Sequence, residues 1–188
     1  MQNSKWTMLT SQKVSWYGQR GMNWNQLIPK VKSLLQSNLP PHMLLIHLGG
    51  NDLVSTHLGK LTKQAQGDVR TLAMLCPDTV LIWSDVLPRI RYRGATAHNK
   101  VEKTRKTFNS SMRAYVRKLG GKSLRHPQIQ WHSDQQFRPD GVHLNDFGND
   151  ILIRNLHDGI RCFEKTPRAL EFPIPKVPLE QPSVKNHT

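Results

Sequence analysis

The sequence predicts an α/β layered fold built on a parallel sheet. Apolar, β-branched or aromatic runs alternate along the chain with stretches of helical periodicity. Each run stops at a glycine, a proline or a short polar cluster, as buried strands do between crossover helices. At 188 residues the chain has room for one core and a tail.

The elements follow in order. Lys13–Gly18 (KVSWYG) reads as the first strand, preceded by an irregular segment, 1–12. A helix comes next, with Leu27, Ile28, Val31, Leu34 and Leu35 at helical spacing and Pro29 early enough for the first turn. Met43–Leu48 (MLLIHL) is the second strand, and a helix over Lys60–Leu75 ends before Pro77. Thr79–Leu87 (TVLIWSDVL) is the third strand, stopped by Pro88. A long basic helix, Ala97–Leu119, ends at Gly120-Gly121, and Gln128–His132 (QIQWH) is a short fourth strand. The last helix starts near Asn145 and carries Ile151, Leu152, Leu156, Ile160 and Phe163 on one stripe. The folded domain is thus expected over 13–166. Five prolines in the last 22 residues mark 167–188 as a disordered tail.

Charge is the unusual part of the composition. Lys and Arg number 27 against 13 Asp and Glu, a net +14. Twelve of the basic residues lie between Arg89 and Arg125, with Glu102 as the one acid among them. So concentrated a field favours polyanions or anionic surfaces, and a solvated helix face is the plainer alternative. Arg89, Arg91, Arg93, Lys103, Lys106, Arg113 and Arg117 are the candidate anion or nucleic-acid contacts. Without a zinc spacing or RNA-binding signature, any nucleic-acid binding is expected to be nonspecific. No apolar stretch approaches the ~20 residues that span a bilayer. Met1 to Thr10 lacks a secretory apolar core. Cys76 and Cys162 stand far apart and outside metal-ligand spacing, so two reduced thiols in an intracellular (cytoplasmic or nuclear) protein are expected. The oligomeric state is not written in the sequence.

Three stretches at strand ends could carry chemistry. WYGQRGMNW holds Gly18 and Gly21 after the first strand, and Gly49-Gly50-Asn51-Asp52 closes the second. FRPDGVHLNDFGN places Asp140 and His143 just before the last helix. Asp-x-x-His puts a carboxylate one turn from an imidazole, where it can hold the tautomer that a general base needs. The same spacing suits an Asx-type turn capping the final helix, with His143 merely packed. Gly-Gly-Asn-Asp is rich in turn formers, but glycine followed by a side-chain amide can also offer preorganised donors to an oxyanion. Elsewhere His47 reads as a strand residue with a satisfied ring. Trp16, Trp24 and Trp83 read as core or near-core residues, Trp24 with the option of lining a pocket.

Taken together and in this order, the three stretches resemble the SGNH (GDSL-like) hydrolase family over roughly Val14 to Phe163. The most specific parts are LGGND at a strand end and PDGVHLNDFGN running into a helix. The resemblance implies a three-layer sandwich around a flavodoxin-like parallel sheet and hydrolysis of small esters without a cofactor or metal. It implies Asp140 and His143 as acid and base, and Gly21 and Asn51 as oxyanion donors. Gly49, Gly50 and Asp52 then support the turn. The likeness extends to SGNH domains of vertebrate retroelement-derived proteins, a setting that a basic surface suits.

One part of the family pattern is missing. Its nucleophilic serine sits in a Gly-Asp-Ser-like turn after a first strand, upstream of the glycine block. The seventeen residues before Gly18 contain no Gly and no Asp, and Ser4, Ser11 and Ser15 lack the expected surroundings. The family's first strand is therefore expected to be absent. The strands at Lys13–Gly18 and Met43–Leu48 must then pair directly, leave a gap, or recruit Lys5–Leu9 (KWTML). A fragment or inactive form of an esterase is the expected identity. A noncatalytic module that binds nucleic acid or anionic surfaces through the basic helix is the alternative.

Overall fold

A computed structural model describes residues 13–173. Among these residues four strands form one parallel sheet: β1 (Met43–Ile46), β2 (Val80–Ser84), β3 (Lys122–Leu124) and β4 (Glu171–Phe172), side by side in chain order. Met43 lies opposite Val80, Ile82 opposite Lys122 and Leu124 opposite Phe172. The helices are α1 (Leu27–Leu35), α2 (Leu58–Leu75), α3 (His98–Lys118) and α4 (Asp146–Lys165), with short 3-10 turns at Trp24–Gln26 and Asp134–Gln136.

Strand alternation divides the core into layers. Leu44, Ile46, Leu81 and Trp83 face one side, where Leu27 and Val31 of α1, Leu61, Val69 and Leu72 of α2, and Phe108, Met112 and Val116 of α3 cover them. Leu45, Ile82 and Leu124 face the other side, against Leu156 and Phe163 of α4. This is the expected three-layer α/β sandwich. Trp24, Trp83 and Phe108 meet edge-on or tilted at centroid distances of 5.7–6.0 Å and fill the larger core under the site. The indole N–H of Trp24 donates to Asp68 Oδ2 at 2.9 Å and the residue is buried, so this side chain belongs to the core.

Two of the expected strands are corrected. Lys13–Gly18 is irregular, with Trp16 and Tyr17 more than half exposed, because no layer of the core lies beside it. Trp16 is therefore not a core residue. Gln128–His132 is a loop whose Ile129 packs with Phe137 and Leu144 in a small separate cluster. The strand position belongs instead to Lys122–Leu124, which enters directly from the Gly120-Gly121 end of α3.

The tail boundary also moves. Residues 167–173 turn back and add β4 to the far edge, where Glu171 pairs with Arg117 and Arg125. The rest of the expected tail, the irregular start at 1–12, and Ser4, Ser11 and Lys5–Leu9 lie outside the described residues. Among the described residues no strand pairs with the outer edge of β1.

Candidate functional site

The carboxyl ends of parallel strands form the natural ligand crevice of such a sheet. Here a cleft of about 400 Å³ opens beyond β1 and β2, bounded by Gly49 to Asn51, Val86 to Arg89, and the Phe137–Leu144 loop.

The Phe137–Leu144 loop is built around Asp140. Its Oδ1 accepts from the backbone N–H groups of Val142 at 2.9 Å and His143 at 3.0 Å, and its Oδ2 lies 2.6 Å from His143 Nδ1. These bonds, the His143 backbone N–H foremost, hold the carboxyl well below the usual carboxylate range. Gly141 makes the turn possible: its φ is +64°, and its carbonyl accepts from Arg91 N at 2.9 Å. The Asx turn itself brings the carboxylate onto the imidazole. Asn145, not Asp140, caps α4, accepting from Gly148 N at 2.9 Å. His143 keeps 54% of its side-chain surface exposed and lines the cleft.

Gly49-Gly50-Asn51-Asp52 follows β1 as expected. Gly49 has φ +109°, and a Cβ there would lie 2.9 Å from the Phe108 ring. Only glycine fits both conditions without strain. Asn51 reaches the cleft with its amide held at both ends: Nδ2 donates to Met22 O and Oδ1 accepts from Arg89 Nη2, each at 3.0 Å. Gly50 leaves room for that guanidinium, since a Cβ would stand 3.0 Å from Arg89 Nη2. Asp52 points away from the cleft and accepts from Trp24 N through both oxygens, at 3.0 and 3.1 Å. Burial raises its pKa against that hydrogen bond, and its position is that of a brace for the Trp24–Gln26 turn.

Other expected site residues are less concentrated. Gly21 sits in an exposed turn at φ +70°, and although Gln19 and Met22 line the cleft, Gly21 does not. Arg113 is ion-paired to Asp85 and Arg117 to Glu171, so neither is a free surface cation. Arg91, Arg93 and Lys103 are exposed, and Lys106 lies 3.9 Å from Glu102. Ser15 is exposed in the irregular N-terminal stretch. Among the described residues no serine hydroxyl is hydrogen-bonded to His143, and no group of three or more His, Cys, Asp or Glu could hold a metal ion. Both cysteines are free, and no described helix is long and apolar enough to cross a membrane.

Two features escaped the sequence. Arg89, a candidate anion contact by charge, lines the cleft and also holds Asn51 through its Oδ1. Beside the cleft, Ser84 Oγ is held between His47 Nδ1 at 2.9 Å and His126 Nε2 at 2.8 Å. The histidines lie 37 and 42 residues from the serine, a separation that no local motif reveals.

No protein-family model matches the sequence, and no curated protein matches it. The structure does match solved ones. A GDSL-like lipase from Bacteroides thetaiotaomicron superposes with a TM-score of 0.61 at 19% identity, over 74% of this chain and 71% of that one. A Bacteroides fragilis protein described as an acylhydrolase gives 0.63 at 19%, over 79% and 73%. The esterase EstA from Pseudoalteromonas gives 0.59 at 16%, over 77% and 74%. At these identities the likeness establishes an SGNH hydrolase-like fold.

Proposed function

We propose that this domain is an SGNH-type ester hydrolase unit that holds the base and the side-chain oxyanion donor, and that it does not turn over esters by itself. The observation that carries the reading is one cleft shared by the Asp140–His143 pair and the clamped amide of Asn51. Esters of short acyl groups are the substrate class, in keeping with the esterases and lipases that share the fold.

In the proposed reaction a serine hydroxyl attacks the ester carbonyl carbon and passes its proton to His143 Nε2. Asp140 holds Nδ1–H and stabilises the imidazolium. Charge moves to the carbonyl oxygen, which the Asn51 amide receives. Collapse expels the alcohol, which leaves with the proton from His143, and a water repeats the steps to free the acid. The serine is the part that no described residue supplies.

Two measurements test the reading. Intact mass after treatment with a serine-reactive fluorophosphonate should show no adduct on the protein or on His143→Ala. An adduct on the parent alone would overturn the claim of inactivity, and peptide mapping would name the serine. Titration with ethyl acetate, followed by NMR, should move the Asn51 amide and the His143 ring. Shifts confined to other regions would remove the hydrolase reading.

A second reading rests on the exposed cations Arg91, Arg93, Lys100 and Lys103, which make no ion pair among the described residues. A binding module for nucleic acid or anionic surfaces would use them. Its binding should fall steeply with salt and ignore His143→Ala.

A further inference from the structure

The His47–Ser84–His126 chain runs from the open cleft into the interior. His126 is 6% exposed and Ser84 is fully buried, whereas His47 keeps an exposed face and lines the cleft. The two imidazoles stand edge-to-face, 5.9 Å apart, with the hydroxyl between them. Both are neutral near pH 7. Burial, with the charges of His47 and Arg105, lowers His126 to about 3. Loss of hydration in the cleft, with the Arg89 charge, holds His47 below its ordinary value.

A serine between two neutral imidazoles has one proton to give, so it donates to one ring and accepts from the other. The inner end sets the direction. Among the described residues His126 Nδ1 is buried with no hydrogen-bond partner. A buried N–H left orphaned is the rarer defect, so Nδ1 is bare and Nε2 carries the proton. His126 Nε2–H then donates to Ser84, and Ser84 donates to His47 Nδ1. The proton of His47 must therefore sit on Nε2, the ring nitrogen not bound to Ser84.

We infer that His47 is a substrate-positioning residue that presents a fixed Nε2–H donor to an acceptor oxygen in the cleft, alongside the Asn51 amide. This rests on the ester-cleft reading and extends it. The ligand class is a carbonyl or carboxylate oxygen. The donor is preorganised because two buried groups behind it fix its tautomer, which a lone surface histidine lacks.

The test uses the whole chain, labelled with ¹⁵N. Long-range ¹H–¹⁵N correlation at pH 7 should show His47 and His126 as Nε2–H tautomers, and Ser84→Ala should leave His47 as a mixture. Sodium acetate, the probe ligand, should shift His47 Nε2. Its Kd should rise roughly fivefold in His47→Phe, the fold-change of one lost hydrogen bond. His47→Gln, which restores an N–H donor, should recover most of that loss. An Nδ1–H tautomer at His47, or the absence of an acetate shift there, overturns the inference. The tautomer is read without any ligand, so it stands or falls separately from the ethyl acetate titration that tests the hydrolase reading.

Discussion

Arg89 grips the side-chain amide of Asn51, its Nη2 donating to Oδ1 at 3.0 Å while Asn51 Nδ2 donates to Met22 O at the same distance. This clamp distinguishes the two ends of the amide, since a flipped Asn51 would set NH₂ against a guanidinium and its oxygen against a carbonyl. One Nδ2 hydrogen is used on Met22 and the second is left to serve the cleft. Arg89→Met should therefore leave the fold intact and loosen the site. Broadening or shift of the Asn51 side-chain amide resonances, with the urea midpoint nearly unchanged, is the expected outcome.

Gly49→Ala should cost about 2–4 kcal/mol in urea unfolding, combining a strained positive φ with pressure on a packed ring. The cause is local: the added methyl would meet Phe108 at 2.9 Å. Shortening that ring in Phe108→Leu should reduce the extra cost of Gly49→Ala, a coupling that a double-mutant cycle measures.

Glu102 is 4% exposed and accepts two hydrogen bonds from Arg105, at 2.6 and 2.7 Å, and one from Tyr92 Oη at 3.2 Å. Removing one partner of such a buried pair leaves an uncompensated charge, so Glu102→Ala should destabilise by about 3–5 kcal/mol. Glu102→Gln should cost less, because it keeps an acceptor for Tyr92. Equilibrium unfolding of both variants checks the order.

Acid should weaken the fold well above the carboxylate range. With His126 lowered to about 3 in the folded chain against an ordinary 6.5, the unfolded chain binds more protons between those values. Stability is then fully present above pH 6.5 and falls as pH drops towards 3, at up to about 1.4 kcal/mol per pH unit for one group. His126→Gln should flatten that slope in urea midpoints measured from pH 7 to pH 4. Asp140 acts in a lower window. Its depressed pKa supplies stability above its unfolded value of 3.8, lost only as pH falls through its still lower folded value, so its turn should outlast the histidine transition.

What was legible in the sequence depended on signal strength per residue. All four helices were readable because each repeats its apolar stripe over several turns, and Asn145 marked the start of α4. Strands β1 and β2 were readable as apolar runs. β3 was not, since Lys-Ser-Leu carries one apolar residue, and its burial comes from neighbours on both sides rather than from its own side chains. Trp16 and Tyr17 made Lys13–Gly18 look like a strand, but composition cannot say whether a core exists to receive them. Asp140, His143 and Asn51 could be singled out because their partners are near in sequence or in a known motif. The Arg89 clamp and the His47–Ser84–His126 chain join residues far apart, and a single sequence holds no trace of such pairings. Part of the basic segment's charge was hidden for a related reason: charge counting cannot see that Arg105, Arg113, Arg117 and Arg125 are ion-paired with Glu102, Asp85 and Glu171.

The last strand also bears on the order in which the chain can assemble during synthesis. Lys122 is 5% exposed, and its ammonium donates to the carbonyls of Pro167 and Ala169, 45 and 47 residues further on. Until those residues leave the ribosome, β3 carries a cation with no carbonyls to receive it and an edge with no neighbour. The β1–β2 pair and α2 and α3 have most of their partners by then, whereas the β3–β4 side must wait. A nascent chain arrested at Thr166 would therefore hold one finished half and one half that closes only when Phe172 arrives.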